Sequence, residues 1–205
     1  ESITSIGDAA FDSCKIGLVN WEIPSITLPS NYYQTPIFNK ATINNIAFAD
    51  DVSDIPQYLF CNADVSNVSE IKLPKEVKTI GKYAFSSGAL NLDELTIPAG
   101  IISIGDGALA SSQIGTLYWN AKSASLPTNY YQTPMLNGAT VGNVVCGDTV
   151  ETVPAYFMAN AIITGKIQLN GTAYGKRLVD QTNLPEGTTL WIPDEVTTID
   201  GDAFS

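Results

Sequence analysis

The sequence predicts a repeat solenoid of the α/β or mainly β class, a coil of about eight turns of 21–27 residues each. Two observations predict it. A pair of apolar positions recurs along the chain, and an apolar triplet lies between successive pairs. A unit of this length cannot bury its apolar face alone, so neighbouring turns must stack. We therefore expect one solenoid domain over residues 1–205.

The recurring pair consists of an anchor and a bulky apolar residue five places later. The anchors are Ile6, Leu28, Ile55, Ile80, Ile104, Leu126, Val153, Tyr174 and Ile199. Their bulky partners are Phe11, Tyr33, Phe60, Phe85, Leu109, Tyr131, Met158, Val179 and Phe204. Successive anchors are 21–27 residues apart, which is a solenoid period and not a coiled-coil heptad or a propeller blade.

The triplet occupies positions one, four and six of a short segment, as in Ile16, Val19 and Trp21. Further copies begin at Ile43, Val68, Leu92, Ile114 and Val141, and weaker copies begin at Thr164 and Gly187. The last two members of each triplet lie two residues apart, so they point to one side of a strand. Each triplet therefore predicts a short strand with one buried side.

The spacing of these motifs predicts one packed edge and one edge with loops. The interval from the last triplet residue to the next anchor is seven residues, except for five from Leu169 to Tyr174. The interval from each bulky residue to the next triplet varies from five to ten residues. Loops on an outer surface tolerate changes in length, so we expect the variable loops to follow the bulky residues.

The segment "LPSNYYQTP" at residues 28–36 returns as "LPTNYYQTP" at residues 126–134, an interval of 98 residues. Trp21 and Trp119 share this interval, which equals four turns. The chain is therefore predicted to be internally duplicated, at about 1–98 and 99–205. In this alignment Tyr33 and Tyr131 fill bulky positions. Tyr32 and Tyr130 precede them, at positions where other turns have a small residue such as alanine.

Composition and charge exclude several classes of partner. The chain has 10 Lys and Arg residues and 21 Asp and Glu residues, for a formal net charge of −11. Without a basic cluster, binding to nucleic acid or to an anionic membrane surface is disfavoured. No apolar run reaches the roughly 18 residues of a membrane span, so membrane insertion is not expected. The composition favours a neutral or basic partner.

Histidine and cysteine usage argue against an enzyme or a metal site. The chain has no histidine, which removes the usual general base and every Ser-His or Cys-His pair. Cys14, Cys61 and Cys146 are odd in number and irregularly spaced, which does not suit disulfides or zinc. We expect them to be small buried apolar residues, and we expect no cofactor.

The segment "LPKEVKTIGKYAFSSGALNLDELTIPAGIISIGDGAL" at residues 73–109 resembles the BspA-like bacterial leucine-rich repeats, as do "ITSIGDAAFDSC" and "WIPDEVTTIDGDAF". The resemblance covers essentially the whole chain and is weakest at residues 171–187. It implies a right-handed coil with short parallel strands on its concave edge, and a bacterial protein that is secreted or at the cell surface. Both chain ends fall inside the motif, which favours a segment of a longer array over short terminal caps.

The outward-facing strand residues of such a coil are the candidate binding residues. Tyr118 and Trp191 come first, because aromatic residues with a polar group supply much of the energy at interfaces. The other candidates on the concave face are Asn20, Lys72, Thr96, Gln168, Glu70 and Glu94. The alternative is that the two aromatic residues only cover neighbouring strands.

Three other patterns in the sequence could mark sites of chemistry. "GDGALA" at residues 105–110 fits a loose dinucleotide pattern but follows an ordinary anchor, so nucleotide binding is not expected. Asp50, Asp51 and Asp54 are a weak calcium candidate against the more common solvated turn. Glu70 and Glu94 on adjacent turns could approach glycosidase spacing, but on an open sheet they are more simply solvated charges.

The sequence favours a non-enzymatic binding module for adhesion or for recognition of an unknown protein or glycan, as implied by the family resemblance. The alternative is a passive spacer within a larger cell-surface protein. An enzyme with an unrecognised carboxylate site is the third hypothesis. A shared fold does not by itself decide between them.

Overall fold

In a computed structural model the chain is a parallel β-solenoid of about seven turns. The structure describes residues 3–29, 34–86, 90–128, 131–180 and 182–205. Within these ranges the regular elements are short strands, and none is a helix. Of the two fold classes that the sequence predicts, the mainly β class is therefore correct. The predicted coil of stacked turns is confirmed.

The strands of the described residues are numbered in chain order. They are β1 (Lys15–Ile16), β2 (Val19–Trp21), β3 (Thr42–Ile43), β4 (Ile46–Phe48), β5 (Asp54–Ile55), β6 (Thr79–Ile80), β7 (Asn91–Ile97), β8 (Ser103–Ile104), β9 (Gln113–Trp119), β10 (Thr140–Cys146), β11 (Thr152–Val153), β12 (Ile162–Ile163), β13 (Ile167–Gln168), β14 (Ala173–Tyr174), β15 (Leu190–Trp191) and β16 (Thr198–Ile199).

The triplet segments form the strand-bearing face of the coil. Strands β7, β9, β10, β13 and β15 lie side by side in one parallel sheet, and β12 also pairs with β10. Strands β2 and β4 form a separate two-stranded sheet. The third turn separates the two sheets, because residues 68–73 form no strand. The predicted strand at Val68 to Leu73 is therefore wrong, and the face is not one continuous sheet.

The register between turns corrects the first member of three triplets. Asp64 bridges Thr42, so Val65 and not Val68 is equivalent to Ile43. Ile163 pairs with Val141, which replaces Thr164. Asn183 bridges Ile162, so Leu184 replaces Gly187. In each of these turns, extra residues lie between the first and second members of the triplet. The spacing of the other turns therefore predicts the wrong first member.

The anchors form their own narrow sheets. Strands β5, β6 and β8 pair in one, and β11, β14 and β16 pair in another. Tyr174 pairs with Val153 on one side and with Ile199 on the other. The prediction that Tyr174 is an anchor is confirmed, although it lies five and not seven residues after Leu169.

The predicted bulky role of Tyr131 is wrong. The main-chain N–H of Leu109 donates to the carbonyl oxygen of Met135 at 3.0 Å, which makes Leu136 the equivalent of Leu109. Leu136 is fully buried, whereas the Tyr131 side chain is 93% exposed. The extra residues therefore precede the bulky residue, and the variable loop does not follow it as predicted.

The first copy of the repeated segment shows the same alignment. The N–H of Phe11 donates to the carbonyl oxygen of Ile37 at 2.8 Å, which places Phe38 in the bulky column. The rings of Phe11, Phe38, Phe60 and Phe85 follow one another with centroids 5.1, 5.6 and 5.7 Å apart. Tyr32, Tyr33 and Tyr130 lie outside the described residues.

The three cysteines are free and differ in burial. Only Cys146, which ends β10, is buried as expected, and this burial raises the pKa of its thiol to about 12. Cys61 is half-buried, and burial also raises its pKa. Cys14, which precedes β1, is exposed, so the expectation of a buried thiol is wrong there.

Candidate functional site

A column of outward-facing residues crosses the larger sheet. Parallel pairing places Thr96 beside Tyr118, Tyr118 beside Val145, Val145 beside Gln168, and Gln168 beside Trp191. Strands in a sheet are about 4.8 Å apart, so Tyr118 and Trp191 are separated by roughly 14 Å. Four of the predicted site residues, Thr96, Tyr118, Gln168 and Trp191, thus share one column.

The two aromatic residues of this column differ in exposure. Trp191 is 66% exposed and Tyr118 is 37% exposed. The other tryptophans, Trp21 and Trp119, are buried, and the Trp21 indole Nε1 donates to the carbonyl oxygen of Ile23 at 3.1 Å. Trp191 is therefore the one tryptophan that is available to a partner, whereas Tyr118 lies half-covered by its neighbours.

An open cleft of about 740 Å³, here called the lysine cleft, lies on one side of Trp191. It is lined by Thr164, Gly165, Lys166, Ile167, Gln168, Pro185, Glu186, Gly187, Thr188, Thr189 and Trp191. The Lys166 main-chain N–H donates to Asn143 Oδ1 at 3.0 Å. The Thr188 hydroxyl donates to the carbonyl oxygen of Pro185 at 2.7 Å. Two segments that line the cleft are therefore each held by a hydrogen bond between the main chain and a side chain.

The other side of Trp191 is a cleft of about 410 Å³, here called the acidic cleft. It is lined by Asp148, Gln168, Leu169, Asn170, Trp191, Pro193 and Glu195. The amide of Asn170 donates to Asp148 Oδ1 at 3.1 Å, and the Gly171 N–H donates to Asn170 Oδ1 at 2.8 Å. Asn170 is thus fixed by its own turn and positions the carboxylate of Asp148.

Sequence reasoning missed the acidic residues of this cleft. Each of three successive turns places a polar residue one to three positions after its last triplet residue: Asp148, Glu195 and, between them, the neutral Asn170. Parallel strands end at the same edge of a sheet, so residues just after them come together. The shared position of these residues, just after the strand of each turn, can be read from the sequence. It indicates a common site only once the three strands are known to be neighbours.

The other predicted site residues lie elsewhere on the strand-bearing face. Asn20 pairs with Ala47 in the separate two-stranded sheet, and its amide donates to Glu22 Oε1 at 2.6 Å. Lys72 forms an exposed ion pair of 2.9 Å with Glu70. Glu70, Lys72, Glu94 and Thr96 line a shallow depression of about 200 Å³. Of these residues, only Thr96 belongs to the column of Trp191.

The acidic turn at residues 50–54 does not form a metal centre. Asp54 Oδ1 accepts a hydrogen bond of 2.5 Å from the Thr79 hydroxyl, and Oδ2 accepts one of 2.9 Å from Ser53. The bond from Thr79 holds the pKa of Asp54 below its usual range. Across the described residues, no three His, Cys, Asp or Glu side chains are grouped to hold a metal ion. The predicted calcium candidate Asp50, Asp51 and Asp54 is therefore not grouped as a cation site would require.

Comparison with known proteins identifies the family. The family model "BspA type Leucine rich repeat region" matches residues 1–115 in six copies. A search of curated proteins and a search of solved structures each found no match. Within the described residues, no helix has the length and apolar character that a membrane crossing requires. The repeats of this family form modules of a protein-binding or adhesion type. Because the family model matches more than half of its length, this chain belongs to the BspA-type leucine-rich repeat family.

Proposed function

We propose that this chain is a non-enzymatic module that recognises a protein partner, on a protein that is secreted or held at the cell surface. The single observation that carries the proposal is the exposed indole of Trp191 between two clefts on the strand-bearing face. A large aromatic side chain flanked by polar clefts is typical of the residues that dominate binding energy at interfaces.

The extent of the column supports a macromolecular partner. Thr96, Tyr118, Val145, Gln168 and Trp191 occupy five adjacent strands, which span about 19 Å at the usual strand spacing. Parallel pairing fixes the backbone of these strands relative to one another, so little backbone ordering is needed on binding. A partner laid across the strands would contact Tyr118 and Trp191 together.

The family supports the proposed location. BspA-type proteins are usually found at the surface or secreted, and the net charge of −11 suits a protein that stays soluble and does not adhere to other acidic surfaces. The same charge makes a neutral or basic partner more favourable than an acidic one.

The experiment is a binding screen of the chain against arrayed extracellular proteins and, in parallel, arrayed glycans. Trp191→Ala removes the central ring, and Tyr118→Ala removes the second aromatic residue of the column. Tyr131→Ala is the matched control, because it removes an aromatic ring that is exposed outside this sheet. We expect a captured protein to bind at least about ten-fold more weakly to Trp191→Ala, and to bind Tyr131→Ala as it binds the unchanged chain.

The other outcomes separate the alternatives. Binding to glycans alone would make the column a glycan site. Equal binding by Trp191→Ala and the unchanged chain would remove this site assignment. If the chain captures neither proteins nor glycans, a passive spacer within a larger surface protein becomes the better description.

A further inference from the structure

We propose that the acidic cleft binds a positively charged side chain, lysine or arginine, of the partner, with the cation against the Trp191 indole and beside Asp148 and Glu195. This inference rests on the proposed function, because it names the chemistry that the same aromatic residue recognises. It commits to a basic segment of a protein as the occupant of the cleft.

The composition of the cleft carries the proposal. Trp191, Asp148 and Glu195 line one cavity of about 410 Å³, within the ~300–1,000 Å³ that is typical of ligand sites. An indole face attracts a cation through its quadrupole, and tryptophan does so best among the aromatic residues. Two carboxylates at the same cleft add direct charge attraction. A neutral apolar ligand would gain nothing from either acid.

No basic side chain among the described residues pairs with either carboxylate. The ion pairs of the described residues are Lys72–Glu70, Lys82–Asp106 and Lys122–Glu151, so neither Asp148 nor Glu195 has a lysine or arginine within 4.0 Å in this part of the chain. Asn170 positions Asp148 through a neutral amide, which leaves the charge in place. The cleft therefore presents two negative charges to solvent.

The surrounding charge has the same sign. Residues 178–205 contain no lysine or arginine but contain Asp180, Glu186, Asp194, Glu195, Asp200 and Asp202. A region of one sign raises the local concentration of oppositely charged partners and speeds their association.

The two clefts also differ in charge. In the lysine cleft, Lys166 and Glu186 offset each other, whereas the acidic cleft has Asp148 and Glu195 and no basic residue. This difference in charge sets the orientation of the bound partner across Trp191. Its cation lies in the acidic cleft beside Asp148, and its uncharged polar groups face the threonines of the lysine cleft.

The test uses the indole N–H signals of the ¹⁵N-labelled full chain, titrated with a tetralysine peptide at low ionic strength. The chain has three tryptophans, of which Trp21 and Trp119 are buried, so the Trp191 signal reports the cleft directly. We expect this signal to shift and saturate while the other two stay in place. A tetraglutamate peptide is expected to cause no shift.

Matched variants separate recognition from general charge. The double variant Asp148→Asn with Glu195→Gln removes both acids of the cleft, and we expect about ten-fold weaker binding of tetralysine or more. Glu76→Gln with Asp93→Asn removes the same number of charges at exposed positions outside the cleft, and it is expected to keep most of the affinity. An Arg-based tetrapeptide is expected to behave like tetralysine.

Several results would overturn the inference. One is equal loss of affinity in both double variants, because this would mean that only net charge matters. Another is a saturating shift of Trp191 with an uncharged peptide of equal length, and a third is no shift with tetralysine. None of these decides the proposed function, which fails only if Trp191→Ala leaves capture of extracellular proteins unchanged.

Discussion

The carbonyl oxygen of Gly115 lies 2.2 Å from the position that a side-chain Cβ on Gly142 would take, too close for both atoms. Both glycines follow the first triplet residue of their turn, and Gly165 meets the carbonyl oxygen of Gly142 in the same way. The glycines therefore allow neighbouring turns to approach at this corner of the coil, because any side chain would push the strands apart.

Gly142→Ala is expected to lower the stability of the coil by about 1–3 kcal/mol, the usual cost of forcing extra atoms into packed structure. Gly17→Ala is the matched control, since Gly17 holds the same place in the first turn and an added Cβ there meets nothing within 4 Å. Thermal unfolding followed by circular dichroism compares the two. Equal melting temperatures for both variants would contradict the close approach.

The alignment of the repeated tyrosine segment predicts a large loss of stability on truncation of Leu136 and almost none on truncation of Tyr131. Leu136→Ala is expected to cost about 2–5 kcal/mol, because it leaves a cavity in the core. Tyr131→Ala is expected to change stability by no more than about 0.5 kcal/mol, because its side chain is almost fully exposed. Denaturant titration measures both. A larger loss for Tyr131→Ala than for Leu136→Ala would restore the tyrosine to the bulky position.

The hydrogen bond from Thr79 to Asp54 predicts a pH dependence of stability. The bond lowers the pKa of Asp54 in the folded chain, so its contribution is present above the unfolded pKa of about 3.9 and is lost as the pH falls through the folded pKa. Thr79→Val is expected to raise the pKa of Asp54 and to weaken this acid-side dependence.

An NMR titration of the Asp54 carboxyl carbon measures the pKa in the unchanged chain and in Thr79→Val. Asp64 is the internal control, because its pKa is lowered by hydrogen bonds from Ser66 and not by Thr79. An unchanged pKa of Asp54 in the variant would show that the hydroxyl does not stabilise the carboxylate.

The three thiols are expected to react with a thiol reagent at three different rates. Cys14 is exposed and should react first, and Cys61 is half-buried and should react more slowly. Burial raises the pKa of Cys146 to about 12, so little thiolate forms near neutral pH and this thiol should react only after unfolding. Cys14→Ser should remove the fastest phase. Three fast thiols in the folded chain would contradict the burial of Cys146.

Much of the architecture could be predicted from the sequence because the repeat is a local property. The period, the anchors and the last two members of each triplet depend on the spacing of apolar residues, and the structure confirms strands β7, β9 and β10 at the predicted triplets. Tyr174 was predicted as an anchor by its place in the period, and its pairing with Val153 and Ile199 confirms it.

Spacing alone could not place the tyrosine insertions. Leu126 is followed by Tyr131 at five residues and by Leu136 at ten, and both are large enough to fill the bulky position. Only the hydrogen bonds between turns, such as Leu109 to Met135, decide which of them stacks in the column. The same is true of the third turn, where extra residues after Val65 interrupt the strand-bearing face.

By itself, the sequence determined the coil, its period, the outward direction of Tyr118 and Trp191, and the family to which the repeats belong. Each of these follows from residue spacing within a turn or its neighbour. The tertiary structure alone decided the two clefts beside Trp191 and the meeting of Asp148, Asn170 and Glu195. These residues come from three successive turns, and they meet because stacking in register brings the ends of parallel strands to one edge.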